Sequence, residues 1–115
     1  MSASSRVLHP GLRQKIMSAD AAAGLIEHGD HVGMSGFTGA GYPKTVPQAL
    51  ARHIEQSNRH GGHFRIGVWT GASTAPELDG ALARVGGIET RLPYQSDPVC
   101  RARINAGEMD YIDIH

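Results

Sequence analysis

The stretch VGMSGFTGAGYPKTVPQAL, Val32 to Leu50, decides the fold. A short apolar run passes into a glycine-rich loop and then into an amphipathic helix. The run is bounded by glycine, which predicts a strand at about His31 to Ser35. In the loop, Gly33, Gly36, Gly39 and Gly41 permit tight turns and leave backbone N–H groups exposed. Thr45 is the candidate N-cap of the helix, with Pro47 near its first position. Val46, Ala49, Leu50, His53 and Ile54 then share one helical face, the best helical periodicity in the chain.

Working upstream, VLHPGLRQKI (7–16) reads as a preamble broken by Pro10 and Gly11. Ser18 looks like an N-cap, with Asp20 in the first turn where a carboxylate suits the helix dipole. The helix it opens is predicted to run through Ala22, Leu25 and Ile26 and to stop at Gly29. Downstream, FRIGVW is a strand that leads into Thr70. Pro76 opens a helix over PELDGALARVGG, closed by Gly86 and Gly87. IETRLPY is extended. DPVCRARINAG is a helix with Asp97 as cap and Pro98 at its first position, and MDYIDIH, ending at His115, is a strand.

Strands that alternate with helices predict an α/β fold, an open parallel sheet with right-handed crossover helices. The chain has 115 residues, against roughly 150 for a typical domain. It also ends on a strand that nothing following would cover. Both features predict an incomplete domain, or one lacking a partner segment.

Composition narrows the function. Lys plus Arg and Asp plus Glu are each 11, giving no net charge. This weighs against nucleic acid and against an anionic membrane surface. No apolar run approaches the roughly 18 residues of a membrane span. Met1 to Leu12 has no signal-peptide core, and Arg6 and Arg13 make only a weak transit peptide, so a cytoplasmic chain is expected. Cys100 is the one cysteine, which excludes an internal disulfide and a cysteine-rich zinc site. The seven histidines form no metal motif, so no metal is expected. Glycine is high, at 15 of 115, about 13% against an average of about 7%.

Three loops could carry chemistry. The glycine loop, with a helix N-terminus behind it, suits an anion or oxyanion. Its spacing is neither the dinucleotide fingerprint nor a P-loop, and it could be a plain turn. WTGASTAP places Thr70, Ser73 and Thr74 at a strand's carboxyl end, where open parallel sheets gather ligands. Ser73 or Thr74 could instead cap the helix opened by Pro76. PYQSDP offers Gln95 and Ser96 beside the cap Asp97. Trp69 reads as packing, and Arg101 and Arg103 as solvent-facing. No nucleophile–base pair is visible. The residues alone therefore describe a half-built anion or acyl-ligand site. A non-catalytic anion- or nucleotide-binding domain, or a self-associating truncated product, remain open.

Three blocks carry a resemblance: SGFTGAGYPKTVPQALA (Ser35 to Ala51), TGASTAPELDG (Thr70 to Gly80) and PYQSDPVCRARINAGEMDYIDIH (Pro93 to His115). In that order they resemble the amino-terminal part of the acetyl-CoA hydrolase/transferase family, class I CoA-transferases of the succinyl-CoA:acetate type. The resemblance implies part of the first of two related α/β domains, with the active site between them and the second domain absent. It implies a homodimer as the intact enzyme. The substrates would be an acyl-CoA thioester and a small carboxylate, with no tightly bound cofactor. It implies a nucleophilic glutamate located beyond His115, so no catalytic residue in this chain, which alone would be inactive. Gly36, Thr38, Gly39 and Gly41 would border the cleft. Ser73 would lie near the acyl site and Ser96 would help hold the carboxylate. Hydrolysis, or another acid such as a four-carbon hydroxy acid, is the alternative within the family.

Overall fold

The computed structural model describes residues 3–113. Two helical turns, α1 (Ala3–Arg6) and α2 (Pro10–Arg13), precede α3 (Ala19–Ala23), β1 (His31–Gly33), α4 (Thr45–Arg59) and β2 (Ile66–Trp69). A π-helical turn (Pro76–Gly80) then runs into α5 (Ala81–Arg84), followed by β3 (Ile88–Leu92), α6 (Pro98–Asn105) and β4 (Asp110–Tyr111). The strands pair in the order β1-β2-β3-β4, all parallel, as the alternating pattern predicts.

This order has a geometric consequence. Each connection steps one place in the same direction. Right-handed crossovers then deliver every connecting helix to one face of the sheet. The structure obeys: α3 packs on α4, α4 on α5, and α5 on α6, in a single layer. The body is thin, 47 × 37 × 21 Å. Ile66, Val68 and Ile88 of the sheet meet Leu50, Ile54, Leu78, Leu82 and Ala83 of the helices, and none is more than 1% exposed. Burying each of the larger side chains contributes about 1.5–3 kcal/mol.

The opposite face receives none of these connecting helices. There His31 leans across Gly67, where a side chain would collide with the imidazole. Its Nδ1 accepts a hydrogen bond from Trp69 Nε1 at 3.1 Å. Trp69 remains 48% exposed, so it is only half the packing residue its sequence context suggests.

Several boundaries differ from the expectation. Ser18 does cap, accepting Ala21 N–H at 3.1 Å. The helix, however, closes at Ala23 rather than Gly29: the Leu25 and Ile26 amides tighten onto the Ala22 and Ala23 carbonyls, and the amides beyond them turn to other partners. Glu27 N–H bonds the Asp30 carboxylate and Gly29 N–H bonds the Arg65 carbonyl. Pro10 starts a turn instead of breaking one, and the His9 side chain caps it by accepting Gly11 N–H.

Thr45 is the first helical residue of α4, not its cap; Lys44 holds the cap position without a side-chain bond. His53 is exposed on α4 and meets Phe64 edge-on at 5.5 Å. The buried face of α4 is instead Pro47, Ala49, Leu50, Ala51 and Ile54. β1 stops at Gly33, although Met34 N–H still reaches the Trp69 carbonyl. Arg103 is half-buried, donating to Glu108 and to the Arg84 carbonyl. Of the last predicted strand, Asp110 and Tyr111 pair with β3; Ile114 and His115 lie outside the described residues.

Candidate functional site

The loops after β1, β2 and β3 are stitched together at the carboxyl edge of the sheet. Thr38 N–H donates to the Ala72 carbonyl at 2.8 Å, joining the first loop to the second. Ser73 N–H donates to the Tyr94 carbonyl at 2.7 Å, joining the second to the third. Close approach requires glycine at the seam: a side chain on Gly71 would collide with the Gly36 carbonyl oxygen. Gly36 itself has φ +140°, and a Cβ there would sit 2.8 Å from Tyr42 Cβ.

Between these loops is a shallow cleft of about 300 Å³ lined by Thr38, Gly39, Ser73, Thr74, Tyr94 and Ser96. Four of the six residues singled out from sequence, Thr38, Gly39, Ser73 and Ser96, therefore come together. Gly36 and Gly41 shape the loop without lining the cleft. The Gly41 carbonyl accepts the Ser35 hydroxyl at 2.7 Å, and Phe37 and Ala40 close the turn between them.

Besides Gly39, two lining residues that carry a side chain hold left-handed backbone: Thr38 at φ +48° and Ser73 at φ +64°. Each carries a cost of order 1–2 kcal/mol for a residue with a Cβ. Strain of this kind persists where surrounding contacts over-determine it, and it clusters at functional sites.

Ser73 Oγ and Ser96 Oγ are 2.7 Å apart, and Ser96 N–H points at Ser73 Oγ at 3.3 Å. Ser73 Oγ also donates to the Thr74 carbonyl at 3.2 Å. A hydroxyl has one donor and two acceptor sites, so this set can saturate Ser73. Either hydroxyl can donate in the Ser73–Ser96 bond; when Ser73 gives up the Thr74 carbonyl and donates to Ser96 Oγ, the proton of the exposed Ser96 turns outward to an entering acceptor. Among the described residues no carboxylate or imidazole lines the cleft, and its hydroxyls can hold an anion or a carbonyl oxygen.

Capping does not account for Ser73 or Thr74. Ala75 occupies the cap position before Pro76, and no side chain caps there. Thr74 instead donates its N–H and hydroxyl to Asp79 Oδ2, at 3.0 and 2.5 Å. Asp97 does cap α6, accepting Val99 and Cys100 N–H at 3.0 and 3.1 Å. This leaves Ser96 free of structural duty at the helix end. Gln95 is buried and its Oε1 has no hydrogen-bond partner among the described residues; it lines a second hollow with Arg101 and Asn105.

Sequence reasoning missed two ties. The first is the buried ion pair of Arg91 and Asp79, Nε to Oδ1 at 2.6 Å, with both side chains fully buried. The sequence carried little signal for it: β3 reads IETRL, with Glu89 exposed two residues before the buried Arg91, and a buried arginine demands a buried counter-charge only once its burial is known. The second is Tyr42, whose hydroxyl donates to Glu77 Oε2 at 2.7 Å while Lys44 Nζ lies 4.2 Å from its ring centre. That bond holds the Glu77 carboxyl below its ordinary value and raises the Tyr42 phenol. Cys100 lies against Asp79; burial, with the nearby Asp79 and Asp97 carboxylates, pushes its thiol up to about 12. It is therefore a protonated packing residue, not a nucleophile.

The family model described as the acetyl-CoA hydrolase/transferase N-terminal domain matches residues 4–115. The chain belongs to the acetyl-CoA hydrolase/transferase family. Among its relatives is a succinyl-CoA:acetate CoA-transferase of Clostridium kluyveri, 42% identical over 110 residues, which cover 96% of this chain and 20% of that protein. An acetyl-CoA hydrolase of Schizosaccharomyces pombe is 38% identical over 113 residues, covering 97% of this chain and 22% of that protein. A propanoyl-CoA:succinate CoA transferase of Escherichia coli is 37% identical over 99 residues, covering 86% and 20%. The chain thus spans about a fifth of the length of the curated relatives it matches.

Proposed function

We propose that this chain is the amino-terminal part of the first domain of an enzyme that transfers CoA between short carboxylic acids, succinyl-CoA to acetate, and that its three-loop cleft holds the small carboxylate. The observation that carries the reading is the Ser73–Ser96 hydroxyl pair, 2.7 Å apart, in a cleft at the carboxyl edge of a parallel sheet, the edge where ligands gather in open α/β folds. The relatives named as CoA-transferases support the reaction class. Coenzyme A thioester enters as substrate.

The covalent chemistry is assigned to a glutamate outside these 115 residues. Its carboxylate oxygen attacks the thioester carbonyl. The C–S bond breaks, and an acyl-glutamyl anhydride and CoA thiolate form. The thiolate attacks the glutamyl carbonyl, the anhydride C–O bond breaks, and the first acid leaves as carboxylate with glutamyl-CoA remaining. The acceptor carboxylate repeats the sequence in reverse; water in its place gives hydrolysis. The role of this segment is to place the small acid. Ser96 donates its proton to a carboxylate oxygen, a charge-assisted bond, while Ser73 turns from the Thr74 carbonyl to donate to Ser96 Oγ. The intact enzyme is read as a homodimer.

The test uses the full-length polypeptide that carries this segment. Exchange of CoA from succinyl-CoA to acetate, with a CoA adduct on the protein by mass spectrometry, supports the reading. Release of free CoA without dependence on an acceptor acid makes the protein a hydrolase. Neither activity, with residue 96 intact, contradicts the proposal.

A further inference from the structure

Beneath the cleft lies an arginine that touches no part of it. We propose that Arg91 is the positioning residue of the Ser73–Ser96 pair, an inference that rests on the carboxylate-binding reading of the cleft. Arg91 is wholly buried in β3. Its Nε and Nη2 donate to Asp79 Oδ1 and Oδ2 at 2.6 and 3.1 Å. Nη2 also donates to Thr70 Oγ1 at 2.6 Å, and Nη1 to the Leu92 carbonyl. Asp79 in turn accepts the N–H and hydroxyl of Thr74.

One guanidinium thereby fixes both ends of the segment 70–74, Thr70 directly and Thr74 through Asp79. Ser73 lies inside that segment, in the left-handed conformation. The same guanidinium holds the Leu92 carbonyl, which also accepts Thr70 N–H at 3.1 Å. From there the chain runs four residues to Ser96. Both serine-bearing loops are therefore registered on one planar group. The π-helical turn at Pro76–Gly80 is part of the device, because Asp79 lies within it.

Stability alone does not explain this arrangement. A buried ion pair can often be replaced by apolar residues of like volume without loss. What the guanidinium supplies is direction: a rigid fork with donors in fixed geometry, which an ammonium lacks. Arg91→Lys keeps the charge and removes the fork.

The full-length polypeptide carrying this segment is assayed as wild type, Arg91→Lys, Ser96→Ala and the double variant. If Arg91 acts through the hydroxyl pair, Arg91→Lys raises KM for the small acid about tenfold with kcat within about threefold. The double variant is then no worse than the weaker single by more than about twofold. Multiplying losses, or an unchanged KM with a lowered melting temperature, overturn the proposal. Amide hydrogen exchange separates this from the fate of the functional reading. Ser73 N–H, bonded to the Tyr94 carbonyl, exchanges faster in Arg91→Lys while the α4 amides do not, whether or not the protein transfers CoA. Should Arg91→Lys fail to fold, Thr74→Val removes only the hydroxyl bond to Asp79. Faster exchange at Ser73 in that variant supports the proposal, and unchanged exchange overturns it.

Discussion

The carboxyl edge of the sheet and its helix-free face are built by different rules. At the edge, three loops are tied by backbone bonds, two non-glycine residues hold left-handed backbone, and a buried ion pair lies underneath. The free face has Trp69 48% exposed, and beyond β3 the last strand leaves Tyr111 57% exposed. Parallel sheets are ordinarily covered on both faces. The strand order explains why this one is not: four strands laid down in one direction send every connecting helix to one side. The segment completes its loop edge from its own residues and leaves one sheet face uncovered.

The largest expected effect breaks this contrast at its centre. Asp79→Ala strands a buried guanidinium and is expected to cost about 3–5 kcal/mol, measured by denaturant unfolding. Cys100, buried against Asp79 with its thiol held at about 12, reports the same event by becoming open to alkylation. Tyr111→Ala at the exposed edge is expected to stay within about 0.5 kcal/mol. Equal losses at the two positions would erase the distinction.

A smaller effect sharpens it. Asp97→Ala removes the cap that takes Val99 and Cys100 N–H, and is expected to cost about 1 kcal/mol. Because Ser96 precedes that cap without sharing it, the loss should appear in a melt before it appears in carboxylate binding.

The smallest effect is the pH dependence of the Tyr42–Glu77 tie. Glu77 titrates below its ordinary 4.5 because it accepts the Tyr42 hydroxyl, with its own backbone and the Lys44 charge adding to the shift. That contribution is present above 4.5 and is lost as pH falls through the lowered value. Tyr42 titrates above its ordinary 10.0 for the reciprocal reason, so its contribution is present below 10.0 and is lost as pH rises through the raised value. Thermal melts of Glu77→Gln should therefore lie furthest below wild type between those two ordinary values, and the two proteins should converge in acid. A constant gap down to low pH contradicts the tie.

Much of this organisation is legible in the sequence. Strand and helix alternation gives the parallel sheet, Pro98 after Asp97 gives α6 and its cap, and hydroxyls after strands give the cleft's lining. Other features depend on three dimensions. His53 has the right helical phase but sits where the helix layer ends, so solvent takes it. The helix from Ser18 stops early, its Leu25 and Ile26 amides tightening onto the Ala22 and Ala23 carbonyls, and leaves Leu25 70% exposed. Thr74 looks like a cap by position and composition. Its actual partner, Asp79, is turned inward by the π-helical turn, which α-helical spacing does not anticipate. Arg91 shares β3 with the exposed Glu89, so nothing in the strand's composition marks it as buried, and its partners come from three segments that only the fold assembles.

The central claim is that Ser96 meets the small carboxylate in a cleft the segment has already formed. The most direct measurement is steady-state kinetics of Ser96→Ala in the full-length polypeptide, with acetate varied and a thermal melt alongside. Loss of a hydroxyl donated to a carboxylate is worth roughly 1.5–3 kcal/mol, so KM for acetate should rise about tenfold to a hundredfold with the melting temperature unchanged. Unaltered kinetics with a lowered melting temperature would make Ser96 a structural residue and move the carboxylate pocket elsewhere.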